Sequence, residues 1–220
     1  VNRSQLKLLA IITMVIDHTG AILFPKIALL RIIGRLSFPI FAFLISEGLF
    51  HTSNVKAYLG RLFIFAMISE VPYDLAFYGV PYHPESQNIF FTLFLGLAAI
   101  AVLQTYLSKN SVASIALAGA AVLLAEVLHT DYGWFGVVTV IVFYCFKKYQ
   151  TKGVFVFSAL NTGYGLLGSS LQIYAMAASI PILLYNGENA KNGKFNWQYF
   201  FYAFYPLHLL LLFFVHMVVK

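Results

Sequence analysis

Asp17 and His18 stand side by side inside an otherwise apolar run, and a histidine next to a carboxylate is a pairing that can move protons. In such a pair the imidazole acts as general base while the acid fixes its tautomer and stabilises the imidazolium. Further charges fall inside the next two apolar runs: Arg31, Arg35 and Glu47 in one, Glu70 and Asp74 in the other. Arg31 and Arg35 are four residues apart, which sets both guanidinium groups on one face of a helix. Adjacent residues on a helix point about 100° apart, so Asp17 need not touch His18. It can pair with Arg35 instead, leaving another acid such as Glu70 to orient the histidine. The plainer alternative is a set of buried ion pairs joining helices, although apolar residues would pack those helices at lower cost.

Other residues are weaker candidates. Asn88 and Asp131, the latter in the stretch His129 to Gly133, could line the same mouth; His208 in the stretch Tyr205 to His208 sits at membrane depth, whereas His51, His83 and His216 fall near run ends. No HExxH-type spacing occurs, and no metal site is expected. A GxSxG elbow, a Walker A loop and a dinucleotide fingerprint are also missing, so serine-triad hydrolysis and nucleotide-driven transport lack support. The lone cysteine, Cys145, excludes an internal disulfide and a cysteine-based zinc site.

The elements that must position these residues are set by hydropathy. Of 220 residues, 60% are hydrophobic and only 10% charged, and the mean hydropathy is +0.81, which excludes an ordinary water-soluble core. Apolar runs at 6–24, 28–50, 58–79, 88–107, 112–128, 134–146, 153–185 and 198–219 predict an all-α polytopic transmembrane helix bundle, one domain over residues 1–220. The run 153–185 is too long for one span, and its glycines predict a turn near Tyr164 to Gly168. About nine spans result, with eight as the alternative. With nine, alternate loops collect Arg3 and Lys7, Lys56 and Arg61, Lys109, then Lys147, Lys148 and Lys152, then Lys191 and Lys194, while the opposite side holds Lys26 and Lys220. That bias puts the N-terminus in the cytoplasm. The first run has no small-residue cleavage site and reads as a retained span.

A charge at a helix centre costs about 2.5–3.5 kcal/mol on insertion scales, so such groups face a cavity or a partner. In the nine-span arrangement Asp17, His18, Arg31, Arg35, Glu70 and Asp74 share the outer half of the membrane, and Glu47 lies at the cytoplasmic end. The net charge of +6 is scattered rather than gathered into a stripe, so nucleic acid is not an expected partner.

The stretches Leu6–Gly20, Arg31–Gly48, Tyr58–Leu62, Ser69–Leu75, Asn88–Leu93, Asp131–Gly133 and Tyr202–Leu209 make the chain resemble the TraX family of integral membrane proteins. The family's named member N-acetylates the amino terminus of conjugative pilin, and the family is similar to a wider group of membrane acyltransferases with an early histidine. What the resemblance implies is a membrane-embedded acyltransferase of the cytoplasmic (inner) membrane, using acetyl-CoA as co-substrate. Its partners would be a coenzyme A thioester, membrane lipids and an unidentified acceptor: a peptide N-terminus, a lipid or a glycan. His18, Asp17 and Glu70 would then be catalytic, with His18 taking a proton from the acceptor or holding the acyl group. Arg31, Arg35 and Glu47 would serve the coenzyme A side, the arginines binding its phosphates or the developing oxyanion. The competing expectations are a transporter or flippase with the same charges as its pathway, and a scaffold held by ion pairs.

Overall fold

Caps and turns set most helix boundaries in the computed structural model, which describes residues 1–106, 109–168, 170–188 and 197–219. Lys191, Lys194 and Lys220, which carried part of the loop-charge pattern, lie outside the described residues, as do the side chains of residues 197–199. Helix α1 (Arg3–Ile22) starts at Asn2, whose side chain accepts from the Gln5 N–H while the Gln5 side chain accepts from the Asn2 N–H. That reciprocal cap satisfies two donors a helix start would otherwise leave unpaired.

The second apolar run is not one helix but two, α2 (Ala28–Gly34) and α3 (Ser37–His51), separated at Arg35 and Leu36. Pro39 sits in the first turn of α3, where its missing N–H costs nothing. Helix α4 (Val55–Tyr78) is capped by the Asn54 side chain and ended by Gly79, whose φ of 72° suits glycine. Then follow α5 (Ile89–Tyr106), α6 (Ser111–Val127), α7 (Gly133–Cys145) and α8 (Gln150–Leu167).

The long apolar run divides after Leu167, near the turn its glycines predict. Beyond it come a 3₁₀ stretch, Ser170–Ala178, and the short α9 (Ser179–Leu183). Asn161 and Gln172 pin this hairpin: the Asn161 amide donates to the Gln172 carbonyl at 2.8 Å, and the Gln172 amide donates back to Asn161 Oδ1 at 3.1 Å. The described part closes with α10 (Trp197–Val219).

Among the described residues the regular structure is helical apart from one isolated bridge between Gln87 and Thr130. Among the described residues four stretches are long and apolar enough to cross a membrane: Arg3–Ile22, Ala28–His51, Ile89–Tyr106 and Phe200–Val219. α4, at 24 residues, is as long as the longest of these but carries Lys56, Arg61, Glu70 and Asp74. The helices pack so that α1 meets α2, α3 and α10, while α10 also lies against α4, and α5 contacts α4, α6 and α7. Leu6, Ile40, Leu62, Leu97 and Leu209 are fully buried in the resulting core. Outside it, α6 presents Val112, Ile115, Leu123 and Val127 to the surroundings. A lipid environment accepts such a face without the cost water would impose.

Candidate functional site

One face of α1 carries Arg3, Lys7, Ile11, Met14 and His18, spaced at three- and four-residue steps, and all five line a single cavity of about 480 Å³. That volume falls in the usual range of small-molecule sites. Arg3 and His18 are fifteen residues apart, so the cavity follows α1 for roughly 22 Å at 1.5 Å per residue. Its Arg3 end also has Lys7, Arg61 and His51 on its walls; its His18 end has Asp17, Arg31, Arg35, Asp131 and Tyr132. Between them the lining is apolar, with Ile11, Met14, Leu44 and Phe90.

At the His18 end Asp17 is the hub of an ion triad. Its carboxylate accepts from Arg31 Nη1 at 2.7 Å and from Arg35 Nη2 at 2.8 Å to each oxygen. Charge-assisted bonds of this kind are the strong ones. The break between α2 and α3 positions the arginines, since α2 ends at Gly34 and Arg35 follows in the turn. A Cβ at Gly34 would stand 2.1 Å from Asp17 Oδ1 and 2.2 Å from Asp17 Cβ. Gly34→Ala must therefore push α2 off α1. We expect it to lower stability by about 1–3 kcal/mol, read as a drop in Tm of the purified protein; an unchanged Tm would contradict this packing.

Arg35 Nη1 donates to the Tyr132 hydroxyl at 3.2 Å, and the Tyr132 ring stacks on Phe38 with centroids 3.9 Å apart. Tyr132 has a φ of 63°, a left-handed conformation rare for a bulky residue and of the kind held under strain at functional sites. The loop is fixed by neighbours: Asp131 N–H donates to the Gln87 carbonyl at 2.8 Å, and the Thr92 hydroxyl donates to the Asp131 carbonyl. Burial pushes the Asp131 carboxyl up to about 6, opposed by Arg35.

His18 does not meet Asp17's carboxylate. Its Nδ1 lies 2.7 Å from Nε2 of His208 on α10, the two rings nearly parallel at 8°. Phe77 and Tyr205 pack their edges about it at 5.4 and 6.0 Å. His208 Nδ1 in turn contacts the Phe204 carbonyl at 2.9 Å.

Two of the residues expected at this site lie elsewhere. Glu70 accepts from the Asn88 side-chain amide, which also donates to the Ala66 carbonyl at 2.8 Å, and it does not line the cavity. It holds the start of α5 against α4, so the expectation that Glu70 or Asp17 orients His18 is corrected: the ring partner is His208. Glu47 is buried and bonded to Lys147, with His51 Nε2 at 3.6 Å, Arg3 Nη2 at 4.0 Å and the Tyr185 hydroxyl at 3.4 Å. It ties α1, α3 and the segment before α8 together beside a smaller cavity of about 240 Å³, and it is not on the wall of the main one. Asp74 is fully buried and accepts from the His83 N–H at 2.8 Å. Among the described residues no three of His, Cys, Asp and Glu converge to hold a metal ion.

Sequence reasoning missed Lys7, Arg61 and Tyr132 as site residues. The i, i+4 recurrence of Arg3, Lys7, Ile11 and then Met14 and His18 was the signal available for α1's share.

The model of a family described as TraX protein matches residues 2–216. A probable fimbrial assembly protein FimC, serogroup H1, of Dichelobacter nodosus is 31% identical over 94% of this chain and 93% of that protein. An uncharacterized protein of Rickettsia prowazekii (strain Madrid E) is 30% identical over 50% of this chain and 38% of that protein. No solved structure matches the chain.

Proposed function

Because this chain belongs to the TraX family over residues 2–216, we propose that it is a multi-pass acyltransferase of the cytoplasmic (inner) membrane. It transfers an acetyl group from acetyl-CoA to an amine or hydroxyl of an acceptor. The observation that carries this reading is one cavity with basic walls at one end and His18 at the other.

With a cytoplasmic N-terminus and nine spans, as the loop charges favour, the Arg3 end opens where acetyl-CoA is made. Arg3, Lys7 and Arg61 then receive the donor's phosphates. Arg3 fits that role: its Nη2 is buried and makes no hydrogen bond, with the Glu47 carboxylate 4.0 Å away. The apolar middle between Ile11 and Met14 takes the pantetheine arm and brings the thioester toward His18. There His18 removes the proton from a neutral amine or hydroxyl as the acceptor atom bonds to the acyl carbon. The C–S bond breaks, and His18 returns the proton to the departing thiolate, giving acetylated acceptor and free coenzyme A thiol. Arg31 and Arg35, held by Asp17, offer positive charge to the carbonyl oxygen as it becomes negative.

The Dichelobacter relative is named for fimbrial assembly, which supports the amino terminus of a fimbrial subunit as the acceptor. The test is purified protein in nanodiscs with radiolabelled acetyl-CoA and peptides bearing free amino termini. Label on the peptide with release of coenzyme A thiol is expected. An intact thioester, with solute uptake or lipid translocation in proteoliposomes, would overturn the reading in favour of a transporter or flippase. Within the same assay Lys7→Gln should raise the KM for acetyl-CoA about tenfold, the loss of one charge-assisted contact, and leave kcat within about twofold. An unchanged KM would remove Lys7 from the donor site.

A further inference from the structure

The contact between His18 and His208 contains more than proximity, because the chain of atoms it belongs to ends on a group that can only accept. A backbone carbonyl has no proton to give, so the 2.9 Å approach of His208 Nδ1 to the Phe204 oxygen puts a proton on Nδ1. In neutral imidazole the other nitrogen is then a lone pair. That nitrogen, His208 Nε2, lies 2.7 Å from His18 Nδ1, so the hydrogen between the rings belongs to His18. A neutral His18 that carries its proton on Nδ1 has an unprotonated Nε2, on the side of the ring turned away from His208.

We infer that His208 is the positioning residue that fixes His18 as its Nδ1–H tautomer and so presents His18 Nε2 as the base. The inference rests on the acyltransferase reading and names the group that takes the place of a carboxylate in a conventional base–orienter pair. The substitution has a chemical reason. The carboxylate nearest in sequence, Asp17, is consumed by Arg31 and Arg35. A carboxylate on His18 Nδ1 would also hold the imidazolium firmly, whereas a neutral ring orients it and still lets the proton go on to the leaving thiolate. When His18 Nε2 takes the acceptor's proton, the Nδ1 hydrogen can move onto His208 Nε2, and the pair shares one positive charge. Packing supports the fixed geometry: Phe204 lies nearly parallel to the His208 ring, at 9° and 5.2 Å, and the edges of Phe77 and Tyr205 confine His18. No exposed loop takes part.

The experiment combines nitrogen-15 NMR of histidine-labelled full-length protein in nanodiscs with single-turnover kinetics. Wild-type His18, assigned by its loss in His18→Gln, should show a protonated Nδ1 and an unprotonated Nε2 near neutral pH. His208→Phe keeps a ring beside Phe204 but has no acceptor; His18 should revert toward the Nε2–H form that free imidazole side chains favour. Its kcat should fall about a hundredfold, while the KM for acetyl-CoA stays within about twofold. His208→Gln, whose side-chain carbonyl can accept from His18 Nδ1, should recover most of the loss. A wild-type His18 protonated on Nε2, or a His208→Phe protein with unaltered tautomer and kcat, overturns the inference. Should wild-type protein fail to transfer acetyl at all, the functional reading falls, and the nitrogen shifts still decide whether His208 sets the tautomer.

Discussion

His18→Ala should lower kcat for acetyl transfer by about 10²- to 10⁴-fold, the range that general-base removal commands, with little change in the KM for acetyl-CoA. The split follows from distance. The basic end of the cavity, where the donor's phosphates are proposed to bind, begins roughly 22 Å along α1 from His18, and truncating His18 removes no contact there. Measurement on purified protein should separate the two parameters, since an interaction made only in the transition state lowers kcat and kcat/KM together. The variant also distinguishes two roles for the imidazole. A base leaves no trace on the enzyme, whereas a covalent acyl-histidine gives radiolabel on wild-type protein after acid quench and none on His18→Ala. Added imidazole should partly restore turnover by occupying the space the side chain leaves. Equal turnover in wild type and His18→Ala would end the proposal that His18 carries the chemistry.

The helices were legible where the signal is local, and the site only where its partners are close in the chain. Asn2, Asn54 and Asn110 each cap the helix that follows, and α8 ends at Leu167, before Gly168 at the edge of the glycine-rich stretch. The division of the second run at Arg35 was not legible, because Arg31 and Arg35 stand four residues apart and read as one face of a continuous helix. Yet that division turns both guanidinium groups onto Asp17. The pairing of Asp17 with Arg35 could be raised as an alternative because depth in the membrane follows from topology, and Glu47 could be set apart at the opposite end for the same reason.

His208 is different. Its contact with His18 joins residues 190 apart and depends on α10 lying against α1, which no periodicity records. Glu70 fails in the other direction: its spacing suited a site residue, but the nearest donor is Asn88, brought to it by the turn into α5. Hydropathy says that a buried carboxylate needs a partner and is silent about which one.

Asp17→Ala should destabilise the protein by about 3–5 kcal/mol, the cost of leaving buried charge without its counter-ion. Two guanidinium groups lose their carboxylate at once: Arg31 and Arg35 both bond to the Asp17 side chain, and their side chains are only 26% and 13% exposed; Arg31 keeps the Asp17 backbone carbonyl at 3.1 Å, an uncharged acceptor. Arg35 retains the Tyr132 hydroxyl at 3.2 Å, a neutral acceptor that cannot balance the charge. The measurement is the Tm of purified protein, together with its accumulation in membranes. A second variant makes the result informative about function. Replacing all three groups by apolar residues, Asp17→Leu with Arg31→Met and Arg35→Met, removes the unpaired charge and should bring stability back to that of wild type or about 1–4 kcal/mol above it, as happens when buried ion pairs are exchanged for packed side chains. Turnover should remain low in that protein if the guanidinium groups stabilise the developing oxyanion, since the fold would be intact and the charge gone. Recovery of both Tm and turnover would instead mean that the triad serves helix assembly alone. An Asp17→Ala protein as stable as wild type would contradict the burial of the triad itself.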